Sequence, residues 1–354
     1  EIDIDCTFIA APSADANGNA NGIDGKSACG ALGYIIPDVM YAKNRIIVTD
    51  NLVEKLDYIE IDEKYIDYVI AVDSIGDAEG IVSGTTNITR DPLGLKIARD
   101  TAILLNELGY LKNGFSMQTG AGGTSLAVTA EVKKIMLEKG IKASFASGGI
   151  TGFFVEMLEE GLIEDLYDVQ CFDLKAVKSY SKFNHHGMSS SVYANPYDPK
   201  VIVDGLDFVI LGATEIDIDF NVNVTTSSMG DIIGGSGGHA DAANGAGLTI
   251  ITTNLLKSRL PIIQEQVTTI TTPGEDVDVL VTERGIAINP RRKDLLEKLK
   301  NTKLKIVPIT ELLKIAHSIA GVPKKRVQEN KIIGVVRYRD GTIIDSLYQK
   351  WMKF

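Results

Sequence analysis

Two stretches of this chain, about two hundred residues apart, repeat one another, and a repeat narrows the choice of fold more than any single motif does. Asp5, the apolar run CTFIAA, Asp15 and the pair Asn19/Asn21 recur as Asp207, FVILGA, Asp217 and Asn221/Asn223, every position displaced by 202. Further on, Ala42-KNRIIVTDNL recurs as Ala246-GLTIITTNLL, displaced by 204. Two matches in nearly one register indicate two copies of one structural unit. Within the copies, RIIVTD, YVIAVD, GFSMQTG, DFVILGAT, LTIITTN and DVLVTERG read as buried strands. Between strands, DPLGLKIARDTAILLNELG and SLAVTAEVKKIMLEKG carry apolar residues at helical spacing and end in glycine. Strand–helix alternation predicts an α/β fold with mostly parallel sheets.

At 354 residues, 44% of them hydrophobic, the chain is long enough for two cores. Counting elements places a first domain at residues 1–105 and a second at 106–354. The second copy has roughly a hundred residues of its own before Asp207, whereas Glu1-Ile2-Asp3 leads almost at once into the first copy's strand. The first domain is therefore expected to be N-terminally truncated, with a permuted or degenerate copy as the alternative. A net charge of -11 argues against nucleic acid and against an anionic membrane surface. No uncharged apolar run reaches the length of a membrane span, and no signal-peptide pattern is present, so a cytoplasmic protein is expected. Cys6, Cys29 and Cys171 show neither metal spacing nor an even-numbered disulfide framework.

Three glycine-rich turns are the candidate site. Gly120-Ala121-Gly122-Gly123 joins a strand to a helix, where backbone N–H groups can face an anion or a developing oxyanion. The strand that follows lacks the acid that a dinucleotide fingerprint requires, which sets NAD aside. A second turn is read at Ala146-Ser147-Gly148-Gly149-Ile150-Thr151-Gly152, and a third at Gly234-Gly235-Ser236-Gly237-Gly238-His239. Loops at the carboxyl ends of parallel strands gather on one edge, where ligands bind, so three bare turns there suggest backbone pressed against an elongated ligand. His239 is a candidate for hydrogen bonding or proton transfer. His185 and His186 have no carboxylate or thiol at ligand spacing, and no metal is expected. In VTERGIAINPRR, Arg284 is the candidate for gripping a carboxylate, whereas Arg291 and Arg292 read as a solvated face beside the helix KDLLEKLK.

Taken together, IAAPSADANGNANGIDGKSACGALGY, QTGAGGTSLAVT, FASGGITGFFVEMLEEGLI, DVQCFDLKAVKS, YANPYDP, DFNVNV, GGSGGHADAANGAGLTII and VTTITTPGEDVDVLVTERGIAINPRR resemble the citrate lyase alpha chain family, nearly end to end. The resemblance implies two related CoA-transferase-like α/β domains. It implies transfer of an acyl-carrier (or CoA) thiol from an acetyl thioester to citrate, giving citryl thioester and acetate. Implied partners are the citrate lyase beta chain and the gamma chain, a small acyl carrier bearing a phosphoribosyl-dephospho-CoA group, with the chain itself an oligomer in the complex. Acetyl-CoA can replace the carrier as substrate, and no cofactor is held by the chain itself. The wider CoA-transferase family attacks the thioester with a glutamate; the alignment sets that position at Ser144, which is no carboxylate. The expectation is direct attack by citrate through a mixed anhydride, with Gly122, Gly123, Ser144, Gly149 and His239 at the reacting centre. Gly120, Ser147, Gly148, Gly234, Gly235, Gly237 and Gly238 are then expected along the thioester, and Arg284, Asn221 and Asn223 at citrate. A generic CoA-transferase or thioester hydrolase, or a non-catalytic phosphosugar-binding regulator, would share the fold.

Overall fold

The computed structural model describes residues 3–81, 86–120, 122–323 and 328–350. In chain order the first stretch forms β1 (Cys6–Ala10), β2 (Ser13–Asp15), β3 (Ala20–Asn21), α1 (Ile36–Tyr41), β4 (Asn44–Thr49), β5 (Leu52–Val53) and β6 (Tyr68–Ala71). Next come α2 (Pro92–Glu107), β7 (Phe115–Thr119), α3 (Gly123–Lys139), β8 (Ala143–Ile150), α4 (Gly152–Glu159), β9 (Ile163–Cys171), α5 (Leu174–Ser179), β10 (His185–Gly187) and α6 (Ser190–Ala194). The remainder holds β11 (Phe208–Leu211), β12 (Glu215–Asp217), β13 (Val222–Asn223), α7 (His239–Gly245), β14 (Thr249–Thr252), β15 (Leu256–Lys257), β16 (Leu260–Pro261) and β17 (Ile263–Gln264). It ends with β18 (Val279–Thr282), β19 (Gly285–Ile288), α8 (Lys293–Lys298), α9 (Ile309–Ala320) and the hairpin β20 (Gln328–Arg337) and β21 (Ile343–Lys350). The six strands and two helices read from apolar pattern all form.

Local chemistry accounts for the long helices. Asp91 caps α2, its carboxylate accepting from the N–H groups of Leu93 and Gly94, and Pro92 occupies the first turn, where its missing donor costs nothing. Gly140 ends α3 in the left-handed conformation. The chain divides into two compact units, Glu1–Thr86 with Lys142–Ile202, and Asn87–Ile141 with Val203–Phe354. Each unit combines two separate stretches, and the boundary expected at 105/106 falls inside α2, which belongs with the second unit because it packs on α3 and β18.

Both copies of the repeat have the same internal register. Thr7 of β1 stands opposite Arg45 of β4, and Val209 of β11 opposite Thr249 of β14. Ser13 pairs with Asn21 across β2 and β3, and Glu215 with Asn223 across β12 and β13. The carboxylate of Asp15 caps its turn by accepting from the N–H groups of Asn17 and Asn19 and the Asn19 amide; Asp217 accepts likewise from Asp219, Asn221 and the Asn221 amide.

The two copies differ in cover. In the second unit, β7, β11, β14 and β18 run parallel, with β19 antiparallel at the end, and Ile210, Ile250 and Val279 on one face are fully buried. In the first unit, β1, β4 and β6 run parallel in the same register. The equivalent face there is solvent-accessible, with Phe8 69% and Tyr68 61% exposed and Ile70 and Val72 beside them. Its other face packs on α1 through Ile9, Ile47 and Val39. A parallel sheet with one apolar face open departs from the usual arrangement, in which helices cover both.

Candidate active site

Parallel strands end on a common edge, and in the second unit that edge carries some of the candidate residues. Gly120 follows β7, its N–H donating to the Ile210 carbonyl of β11 at 2.8 Å. Gly122 caps α3 at φ +149, a conformation that glycine alone adopts without strain, and no atom would stand within 4 Å of an added Cβ. Gly123 is there for packing: a Cβ would lie 3.0 Å from the backbone of Asn87 and of Thr89. Ala121 lies outside the described residues. Gly212 follows β11, Asn254 follows β14, and Glu283-Arg284 follows β18.

His239 opens α7 and reaches this edge. One ring nitrogen, Nε2, lies 2.9 Å from the Gly212 carbonyl and the other, Nδ1, 2.7 Å from the Thr272 hydroxyl. A carbonyl can only accept, so Nε2 carries the proton and Nδ1 accepts from Thr272. Burial lowers the imidazole's pKa, opposed by the Gly212 bond, so the ring stays neutral at neutral pH. Its approach, Gly234, Gly235 and Gly237, is exposed with no atom within 4 Å of any added Cβ. Among the described residues, no contact requires glycine at Gly234 and Gly235. Arg284 is half exposed, its guanidinium 3.6 Å from the carboxylate of Glu283, which is itself fixed by the Leu255 N–H.

Other expected residues serve the scaffold. Asn223 is 0% exposed: its amide donates to Glu215 and Thr226 and its oxygen accepts from the N–H groups of Thr225 and Thr226. Asn221 closes the Asp217 turn and accepts from the Gly274 N–H. Burial holds the Asp217 carboxyl above its usual range, against the hydrogen bonds that lower it. Arg292 is an ion-pair centre, bonded to Asp278 and Asp294, while Arg291 sits on the surface near Glu275.

The second glycine turn is corrected by the structure. Ser147, Gly148 and Gly149 lie inside β8, paired in parallel with β9, with a bulge between Gly148 and Gly149. Glycine is required for a different reason than a ligand: Gly148 adopts φ +101, and a Cβ on Gly149 would stand 2.1 Å from the Phe172 ring. Ser144 is half buried near the start of β8.

Sequence spacing also missed a buried cluster in the first unit. His185 Nε2 lies 3.1 Å from Asp168 Oδ2, and the Cys171 thiol 2.9 Å from the same oxygen. Asp168 Oδ1 accepts from the N–H groups of Ile150 and Gln170. The three side chains are close enough to hold a metal ion. They are instead closed on themselves by hydrogen bonds: a cation would have to displace the protons of both His185 and Cys171. Burial pushes the Cys171 thiol far up, and the Cys29 thiol up to about 11. The contact arises from strand register (β10 beside β9), which sequence spacing cannot show.

No described helix is long and apolar enough to cross a membrane. The family model for the citrate lyase alpha subunit matches residues 1–350. A citrate lyase alpha chain from Haemophilus influenzae is 45% identical over 351 residues, 99% of this chain and 70% of the relative. A crystal structure from Streptococcus mutans, described as a citrate lyase alpha subunit in complex with citrate, superposes with a TM-score of 0.96 at 44% identity, covering 99% of this chain and 69% of that one. A malonate decarboxylase alpha subunit from Acinetobacter baumannii, 14% identical, shares the fold at a TM-score of 0.61 over 90% of this chain and 71% of its own. A mostly parallel α/β scaffold, a family model spanning almost every residue and relatives at this identity establish that the chain belongs to the citrate lyase alpha subunit family.

Proposed function

We propose that this chain performs the thiol-exchange step of citrate cleavage without a covalent acyl-enzyme. A citrate carboxylate attacks the carbonyl of an acetyl thioester, forming a mixed anhydride and releasing the carrier's thiolate. That thiolate adds to the citryl carbonyl, giving citryl thioester and free acetate; bonds and charge balance with no group taken up by the protein. Such a reaction asks for positioning and for donors aimed at the developing oxyanion.

The observation that carries this reading is the carboxyl edge of the second unit, where a glycine turn at the N-terminus of a 17-residue helix, a neutral histidine and a half-exposed arginine follow parallel strands. Amide N–H groups at Gly122 and Gly123 are assigned to the oxyanion and Arg284 to a citrate carboxylate. Gly234 to Gly238 are assigned to the thioester arm. His239, with both nitrogens engaged, holds the Gly212 turn in place. Ser147, Gly148 and Gly149 are strand residues of β8 in the first unit and are given no part in the chemistry, and Ser144 is given no nucleophile's role, because citrate's own carboxylate makes the attack.

The test uses a complete alpha polypeptide carrying this sequence, with its acyl carrier and beta chains. Labelled acetate should enter the acetyl thioester only when citrate is present. No exchange would reject the function, and an acyl-enzyme trapped by hydroxylamine would reject the mechanism in favour of a glutamyl-type transferase.

A further inference from the structure

The hairpin β20–β21 has no role in the chemistry above, yet its side chains reach the two segments that hold His239. From the turn of the hairpin, Arg339 reaches α7: its guanidinium lies 3.3 Å from the Asp241 carboxylate and bonds the Asn244 amide oxygen. The side chain is 11% exposed, so this is a packed contact. Tyr338 donates its hydroxyl to Asp276, which also accepts from the Asn244 amide at 3.0 Å. From β21, Asp345 accepts from the Ile270 N–H at 2.7 Å, two residues before Thr272. Thr272 is the partner of His239 Nδ1, and α7 begins at His239 itself. One hairpin therefore fixes the helix that carries the imidazole and the segment around Thr272 that receives it.

We propose that Arg339, Tyr338 and Asp345 are positioning residues, and that the C-terminal hairpin is a strap setting the angle at which His239 holds the Gly212 turn. The physical case rests on arrangement. A two-stranded hairpin is marginal alone in water, and this one carries Ile332, Ile333, Val335 and Ile343 exposed, so its docking depends on the polar contacts at its tip. Those contacts are partly buried ion pairs and hydrogen bonds, which are directional and lose much when one partner is removed. Among the described residues, the charged groups around α7 include Asp241 on the helix, Arg339 on the hairpin, Glu275 and Asp276 on the turn before β18, and Asp204, whose carboxylate lies against Gly245 at the helix end.

The proposal deepens the reading of this edge as the site, and its first readout does not depend on activity. In the isolated protein, the ring protons of His239, assigned with His239→Gln, are titrated by NMR in wild type, Arg339→Met, Tyr338→Phe and Arg339→Lys. Circular dichroism confirms that each variant is folded. Releasing the strap should raise the His239 pKa toward its ordinary value as water reaches the ring, with Arg339→Lys intermediate and Tyr338→Phe the smallest change. A His239 titration unchanged in folded Arg339→Met, with Tyr338→Phe also unchanged, overturns the proposal. In the assembled enzyme, kcat should fall between tenfold and a hundredfold in Arg339→Met, the scale expected of misplaced groups, while KM for citrate holds. A shift in the titration with no change in exchange rate would keep the strap and reject the catalytic role of the edge it supports.

Discussion

Replacing Asn223 with alanine separates a scaffold residue from a citrate ligand. The side chain is fully buried, and its oxygen accepts from two backbone donors, the N–H groups of Thr225 and Thr226, each at 3.0 Å. Alanine leaves both donors without a partner in a dry region, since Thr225 and Thr226 are themselves buried. Each buried unpaired donor costs about 1–3 kcal/mol. Glu215 keeps the Thr268 N–H and the Thr226 hydroxyl keeps Thr269, so the acceptor side is nearly neutral. The total is about 4 kcal/mol, and at about 2–4 °C per kcal/mol for a domain of 150–250 residues the melting temperature should fall by roughly 8–16 °C. Differential scanning calorimetry with and without citrate measures it. A fall below about 2 °C, accompanied by a raised KM for citrate, would refute the reasoning and return Asn223 to the substrate.

Gly149→Ala should destabilise by about 1–3 kcal/mol or more, because the new methyl meets the Phe172 ring; a urea midpoint equal to wild type would contradict the strand placement. Gly234→Ala meets no atom, so its melting temperature should match wild type while KM for the thioester rises; unchanged kinetics would remove this loop from the site. His239 has a pKa lowered by burial, so the unfolded chain takes up its proton first. Stability should therefore fall as pH drops below the ordinary histidine value of about 6.5, and His239→Gln should flatten that slope in pH-dependent melts. Equal slopes would place the imidazole in water. Cys6 should react with a thiol reagent in the native chain, the partly exposed Cys29 more slowly because burial raises its pKa, and Cys171 only on unfolding; Cys171 modified at the rate of Cys6 would contradict the buried cluster.

The strands and helices were legible because their signal is local. Apolar runs such as FVILG and caps such as Asp91 and Gly140 act over a few residues, and a repeat shared by two copies carries register with it. Gly122 and His239 were legible as site candidates because strand ends and glycine turns mark an edge. Ser147 to Gly149 misled for a physical reason: glycines that admit a bulge and a neighbouring ring look, in one dimension, like glycines that admit a ligand.

The amino-acid order alone determined six strands, the two long helices, the mostly parallel sense of the sheets and the internal repeat, since hydrophobic periodicity, capping and repetition are properties of neighbours along the chain. Only the tertiary structure decided which residues meet: Asp168 with Cys171 and His185, Arg339 with Asp241, His239 with the Gly212 carbonyl. Those pairings depend on strand register and on buried donors finding acceptors, and both are settled only when the packed interior has excluded water.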